Sequence, residues 1–386
     1  MRFKIIAFIF LLFSTGNLAT AILAKYIIPY LGFFPYKEIA QQFNLPSFLT
    51  SFANFDGAHY LLIAKNGYTT YQQAFFPLYP LLIRWLSPLF SNNLLLTGLI
   101  ISNLSFLLGL YIFSKYLKLT TNNQQLTVWV IIFLLVFPTS FFFAAVYTEG
   151  LSFLLFISTL YFLKKEKYGA SSIFAILASL TKFLGVFLII PILLTQMAKL
   201  KSQNRNLKLK ASAKLLITLF SPILGLTIYS LYLWKTMGDP FFFLNSQWAF
   251  GAHRSSNIIL LPQVYYRYLN IFFTANLNFQ YFISLFEFFT FNFVFIILIL
   301  DLIENYKLRI KNYYFLGLNL FSLVNLLLPT LTGTFSSIPR YTLFSLSFFI
   351  YLAQIKKLSL KIAIAIVFVI LHIVILGFFS QGYFVS

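Results

Sequence analysis

Apolar runs of about 20 residues, each long enough to cross a hydrocarbon layer about 30 Å thick as a helix, recur along this chain. They constrain its fold more than any other feature. Hydrophobic residues make up 60% of the 386 residues and charged residues only 9%, well beyond what a soluble core requires. The sequence therefore predicts an all-α polytopic membrane protein.

About 11 crossing segments are predicted along the chain. Single runs lie at about 5–23, 94–113, 126–145, 150–163, 215–234, 281–302, 313–330, 341–354 and 362–379. The stretch at about 170–197 is long for one span, has basic residues at both ends and is interrupted near Lys182. Two short helices that turn back are expected there, and discontinuous helices commonly line cavities.

The basic residues set the expected orientation. Lys and Arg accumulate in cytoplasmic loops, and with the N-terminus inside those loops hold most of the 28 Lys and Arg residues. Residues 1–386 are then one multi-pass domain of the cell membrane, with two sizeable outer segments at 31–91 and 235–280. The triplet Ala19-Thr20-Ala21 resembles a signal cleavage site, which leaves removal of the first segment open.

Composition excludes several classes of function. The chain has no cysteine, which excludes disulfides, iron–sulfur clusters and thiol catalysis. Its net charge of +20 follows from the basic loops, so nucleic acid is not an expected partner. The sequence has no glycine-rich phosphate loop and no D-x-D pair, which argues against a nucleotide donor and against a metal site. No cofactor is expected.

The outer segment 31–91 carries the most informative polar residues. Helical patterns at 36–43 and 58–64 are typical of helices that lie along the membrane interface. Asp56 stands just before the second pattern, where it is either a helix N-cap or a general base. The two roles are compatible, and a general base typically contributes about 10²–10⁴-fold in rate. His59 follows one turn later and is expected to share its helix face.

Five other polar residues have alternative interpretations. Glu149 either caps the fourth span or belongs to a site, and Asp239 lies in a turn sequence. Arg340 and Lys182 either extend toward the headgroups or hold the phosphate of a lipid carrier. Glu287 falls within a span, where it is expected to be protonated or to face the bundle interior or the outer interface.

These residues together resemble the GPI mannosyltransferase II family and its prokaryotic relatives, within the glycosyltransferase C superfamily. The resemblance covers much of the chain as ordered islands. They are Phe55-Asp56-Gly57, His59-Tyr60, Ala74-Phe75-Phe76-Pro77-Leu78-Tyr79-Pro80 with Arg84, Tyr147-Thr148-Glu149, Thr181-Lys182, Gly238-Asp239-Pro240 with Gln247-Trp248, and Pro339-Arg340-Tyr341.

The resemblance implies a glycosyltransferase C-type bundle of transmembrane helices and catalysis at the non-cytoplasmic face. It implies a polyprenyl-phosphate sugar donor, a glycan or glycolipid acceptor and an inverting displacement without metal. Asp56 would be the base, while Arg340 and Lys182 would neutralise the leaving phosphate. The remaining substrate-binding residues would be His59, Tyr60, Arg84, Glu149 and Asp239.

Two other functions stay open. A transporter or flippase for a lipid-linked glycan tends to carry charges near the bilayer midplane and often has repeat symmetry. A non-catalytic subunit of a glycan assembly complex is the other alternative. The notable charges of this chain are predicted at one membrane face, which favours the enzyme.

Overall fold

The computed structural model describes residues 1–31, 37–202, 213–250, 255, 257–307 and 313–385. This part of the chain consists of helices and loops without a strand, which confirms the all-α prediction. Parts of the two predicted outer segments, residues 32–36, 251–254 and 256, lie outside the described residues.

The α-helices of the described residues follow in this order: α1 Phe3–Ile27, α2 Lys37–Gln41, α3 Ser47–Thr50, α4 Asp56–Asn66, α5 Leu78–Leu86, α6 Leu94–Thr121, α7 Gln124–Val136, α8 Glu149–Lys164, α9 Tyr168–Thr181, α10 Ile189–Ser202, α11 Ala213–Met237, α12 Phe242–Asn245, α13 Leu261–Thr274, α14 Phe279–Lys307, α15 Tyr313–Leu327, α16 Ile338–Tyr341, α17 Leu346–Gln354 and α18 Leu358–Ser380. Short 3₁₀ helices lie at Ser51–Ala53, Gln72–Ala74, Ser87–Phe90, Ser140–Phe143, Phe183–Leu188, Gln247–Phe250, Leu328–Thr332 and Thr342–Phe344.

Six helices of the described chain are long and apolar enough to cross a membrane: α1, α6, α11, α14, α18, and α15 with the 3₁₀ turn that follows it. Each coincides with a predicted crossing segment, so the chain is a membrane-embedded helical protein. The other five predicted segments contain α7, α8, α9, α10 and α17, which are 9 to 16 residues long. The number of crossings and their orientation therefore stay predictions.

The third predicted segment is shorter in the structure than in the sequence. α7 ends at Val136 because Pro138 disfavours helical backbone at the residue before it, and Phe137 is extended with ψ 141°. The chain continues as the 3₁₀ helix Ser140–Phe143 before α8 begins. These irregular residues are buried within the protein.

The predicted interruption near Lys182 is confirmed. α9 ends at Thr181, Lys182 is extended, and the 3₁₀ helix Phe183–Leu188 leads into α10. Gly185 allows this break to lie directly against α9, since a side chain there would collide with the backbone of Ala178. The break consequently points the Lys182 side chain toward α8 instead of continuing one long helix.

Several pairs of helices pack closely against each other. α6 packs against α8, α8 against α9, and α9 against α11, while α1 packs against α18 and α10 against α15. Glycines make these approaches possible: Gly225 of α11 lies against the carbonyl of Ile176, and Gly109 of α6 lies against the ring of Phe153. Small residues at helix contacts are typical of membrane bundles.

The second predicted interfacial helix is instead enclosed by protein. α4 buries Gly57, Ala58, His59, Tyr60, Leu61, Ile63 and Ala64, and it packs against α5 and α6. α4 is therefore packed within the protein, and its position relative to the membrane interface stays a prediction. The first pattern, 36–43, begins outside the described residues and yields the short helix α2.

Candidate functional site

Four charged side chains from distant parts of the chain form one cluster. Arg340 Nη1 donates to Asp56 Oδ2 at 2.6 Å, and Arg340 Nε lies 3.7 Å from Glu149 Oε1. Lys182 Nζ donates to the same Glu149 oxygen at 2.8 Å. The charges alternate and cancel, so the cluster is neutral as a whole when all four groups are ionised.

Exposure separates the roles of the two carboxylates. The side chain of Glu149 is only 2% exposed, whereas that of Asp56 is 26% exposed. Glu149 is therefore held between the two cations, Arg340 and Lys182, beneath the surface of the site. Asp56 is the acidic group of the cluster that an incoming molecule can reach.

The cluster lines a cavity of about 110 Å³. Its walls combine Asp56, Glu149, Lys182 and Arg340 with aromatic and polar side chains, among them Tyr60, Phe75, Phe76, Tyr147, Gln247, Tyr341 and Phe384. Sites for small ligands typically measure about 300–1,000 Å³. A ligand of ordinary size consequently requires this cavity to widen. Asp56 and Arg340, which contact each other, are both among the lining residues.

An unusual backbone turn presents Asp56. The residue before it, Phe55, has φ 56° and ψ −118°, a conformation that favours glycine. The Gly57 amide donates to the Asn54 carbonyl across this turn. Asp56 is thus the first residue of α4 and Phe55 occupies the N-cap position, so the N-cap interpretation of Asp56 is wrong. Backbone strain of this kind costs about 1–3 kcal/mol and tends to cluster at functional sites.

Two buried hydrogen bonds hold this turn in place. Tyr147 donates its hydroxyl hydrogen to the Asn54 backbone carbonyl at 2.8 Å. The side-chain amide of Asn54 donates to the Phe379 carbonyl at 2.9 Å. The ring of Phe55 packs against Phe379, with ring centroids 5.8 Å apart. These contacts fix the start of α4 against α18 and against the residues just before α8.

The environment of Arg340 keeps it charged. Burial alone would lower the pKa of this guanidinium, but Asp56 and Glu149 together raise the pKa above its ordinary value. The rings of Tyr147 and Phe142 each lie 5.4 Å from the guanidinium carbon, as cation–π contacts. Arg340 is therefore a permanent cation beside a carboxylate that solvent can reach.

Three predicted substrate-binding residues lie away from the cavity walls. Arg84 donates to the Ala64 carbonyl at 2.6 Å and so caps the far end of α4, and it is not among the residues that line the cavity. His59 is buried and stacks on Phe75, with ring centroids 5.1 Å apart. Asp239 accepts hydrogen bonds from the Phe241 amide and the Asn245 side chain within its own exposed turn.

Tyr60 and Glu149 both line the cavity, together with residues for which the sequence analysis predicted no role. Tyr147 and Gln247 belong to the islands that carry the resemblance, but no role was predicted for either of them. Gln247 and Phe384 also line the cavity. Since residue 384 is more than 300 positions from Asp56 in the printed sequence, no local pattern could have joined them.

A larger groove adjoins the cavity. It measures about 1180 Å³ and lies between α13, α14 and the loop that precedes α16, with Phe384 lining both spaces. Tyr268 donates to Glu287 at 2.6 Å inside it, and Arg267 donates to the Gly333 carbonyl at 3.0 Å. Glu287 is thus buried and hydrogen-bonded, as the sequence predicts for an acid inside a span.

The described chain contains no group of three His, Asp or Glu side chains placed to hold a metal ion. The sequence matches no protein-family model and no curated protein.

Proposed function

We propose that this protein is an integral-membrane glycosyltransferase that moves a sugar from a polyprenyl-phosphate donor to a hydroxyl of a glycan or glycolipid. The observation that carries the proposal is the convergence of Asp56, Glu149, Lys182 and Arg340 on one cavity. It provides an accessible carboxylate for a proton and two cations for a phosphate. This pairing of functions is what transfer from a lipid phosphate requires.

The proposed chemistry conserves charge within the site. The acceptor oxygen forms a bond to the anomeric carbon of the sugar, and the bond from that carbon to the phosphate oxygen breaks. The electron pair leaves with the lipid phosphate, and the acceptor proton passes to Asp56. The phosphate gains one negative charge as Asp56 loses one, so Arg340 and Lys182 need only stabilise a shift of charge across the cavity. Displacement from the opposite side inverts the anomeric centre.

The Asp56–Arg340 contact suggests an order of binding. At 2.6 Å, Arg340 holds Oδ2 of the carboxylate that would accept the proton, and so competes with an acceptor hydroxyl for this group. A donor phosphate can draw Arg340 toward itself, because guanidinium groups bind phosphate in a bidentate manner. Asp56 is then released to meet the acceptor. The donor is therefore expected to bind before the acceptor.

The groove beside the cavity supports a lipid-linked donor. Its walls include apolar side chains such as Ile271, Phe279 and Ile283, and it meets the charged cavity at Phe384. An isoprenoid chain could lie in this groove while its phosphate reaches Arg340. A nucleotide donor has no lipid chain that could bind to such an apolar surface.

The test combines purified protein with a panel of polyprenyl-phosphate sugars and measures released lipid phosphate and glycosylated acceptor by mass spectrometry. Asp56→Asn should lower the transfer rate about 10²–10⁴-fold while its membrane level and unfolding temperature stay near those of the wild type. Glu38→Gln is the matched control, since it removes an exposed acid of the same outer segment that does not line the cavity. Wild-type rates in Asp56→Asn would exclude a base at this position.

The transporter alternative is distinguished in sealed vesicles. A transporter moves the intact lipid-linked sugar across the bilayer, whereas the proposed enzyme cleaves the sugar from its carrier. Translocation without cleavage by the wild-type protein would overturn the proposal. A non-catalytic subunit would do neither with any donor of the panel.

A further inference from the structure

A second cluster of cations lies far from the proposed active site. Arg2, Lys115 and Lys118 line a pocket of about 480 Å³ together with Ile5, Gln124 and Thr127. Lys115 is 13 positions beyond Ser102, the α6 residue that bonds the Tyr147 carbonyl at the active site. That separation corresponds to about 20 Å along α6. The pocket therefore lies at the opposite end of α6, where α1 begins and α7 follows.

Among the described residues that line this pocket, the cations are not accompanied by a carboxylate. None of the eight Asp and Glu residues of the chain is among the residues that line it. Met1 also lines this pocket. Bringing cations together without an acid is unfavourable, and an anion in the pocket would relieve the repulsion.

An exposed apolar surface of α1 begins at the pocket. Ile5 lines the pocket and is 45% exposed, and the same helix exposes Phe8, Leu11 and Leu12 along the following two turns. The edge of the ring of Phe3 packs against Tyr111, with centroids 5.4 Å apart, which joins the base of α1 to α6. Lys115 Nζ lies 5.2 Å from the centroid of the same Tyr111 ring. Cationic and apolar surfaces are thus continuous.

We propose that this pocket binds the headgroup of an anionic phospholipid, whose acyl chains lie along α1. A phosphate ester satisfies the three cations, and the exposed leucines and phenylalanines of α1 cover the chains. The pocket lies on the side that the distribution of Lys and Arg predicts to be cytoplasmic, where anionic lipids supply the negative surface. A soluble anion would also fit the cations, but it has no acyl chains to lie against the apolar surface that continues from the pocket.

The test uses full-length protein in nanodiscs of equimolar phosphatidylcholine and phosphatidylglycerol, followed by native mass spectrometry of the released protein. The wild-type protein should retain phosphatidylglycerol in preference to phosphatidylcholine. Lys115→Gln with Lys118→Gln should weaken phosphatidylglycerol binding about 30-fold. These substitutions remove repulsion between cations, so the variant is expected to fold, and its unfolding temperature without added lipid reports on that directly.

The control is Lys164→Gln with Lys165→Gln, which removes the same charge from the end of α8. An equal loss of phosphatidylglycerol in both double variants would show attraction to basic surface in general, and would overturn a specific site. A further arm adds inorganic phosphate to protein in phosphatidylcholine alone. If phosphate raises the unfolding temperature as much as phosphatidylglycerol does, the ligand is a soluble anion and the lipid proposal is wrong.

Discussion

The contact between Asp56 and Arg340 gives the sharpest prediction, because a substitution can remove either of its two charges. Two unit charges about 4 Å apart interact by about 4 kcal/mol at an effective dielectric constant of 20. Asp56 is 26% exposed, so water screens part of this attraction. We expect a coupling energy of about 2 kcal/mol between the two side chains after that reduction.

The two single substitutions should differ in their effects. Arg340→Gln leaves Asp56 and the buried Glu149 near each other with only Lys182 as counter-charge, so it should lower the free energy of unfolding by about 3 kcal/mol. Asp56→Asn leaves Arg340 with Glu149 at 3.7 Å and should cost about 1 kcal/mol. The double variant should cost about 2 kcal/mol, less than the sum, because neither charge is then left unbalanced.

The assay is denaturant unfolding of the four proteins in one mild detergent, followed by tryptophan fluorescence. Arg84→Gln, combined with Asp56→Asn, is the control cycle. Arg84 binds the Ala64 carbonyl about 12 Å along α4 from Asp56, so these effects should be additive. Additive behaviour of Asp56 and Arg340 to within about 0.5 kcal/mol would refute the reasoning.

Three further predictions concern the surroundings of the site. Tyr147→Phe removes the hydroxyl that donates to the Asn54 carbonyl, so it should lower the unfolding free energy by about 1 kcal/mol. The transfer rate at saturating donor should also fall. An unchanged unfolding free energy would contradict this prediction. Gly150→Ala places a carbon 2.5 Å from the carbonyl oxygens of Phe143 and Ser102, so it should lower the unfolding free energy by about 2 kcal/mol or more in denaturant titration. Burial lowers the pKa of His59 in the folded protein, against an opposing effect of Asp56. The unfolded chain therefore binds a proton at His59 more readily than the folded protein does, and the unfolding free energy should fall as pH drops through about 6.5. His59→Gln should flatten that part of the profile of unfolding free energy against pH, and an unchanged profile would show that other groups dominate it.

The sequence anticipated the elements of this fold better than it anticipated their surroundings. The long apolar helices and the break at Lys182 follow from hydropathy and from basic flanks, which are local properties. The enclosure of α4 was not foreseen. A short apolar helix with polar ends has the same sequence pattern whether it lies on a membrane or inside a helix bundle. Only the packing of α5 and α6 against it distinguishes the two.

The candidate site was anticipated in part for a similar reason. Asp56, Glu149, Lys182 and Arg340 stood out because charge is rare in this chain and requires a counter-charge when it is buried. Arg84 stood out on the same grounds, yet its partners are backbone carbonyls at the end of α4. A rare polar residue thus indicates that a partner exists, without showing whether the partner is a substrate or the protein itself.

The amino-acid sequence by itself determined that this chain is helical, that it belongs in a membrane, and which few polar residues need partners. These properties follow from hydropathy and charge, which are summed over neighbouring residues. The tertiary structure alone decided that Asp56 meets Arg340 across 284 positions, and that Glu149 is buried beneath the pair while Asp56 is accessible. Those facts depend on how helix ends pack in three dimensions, and no local pattern encodes them.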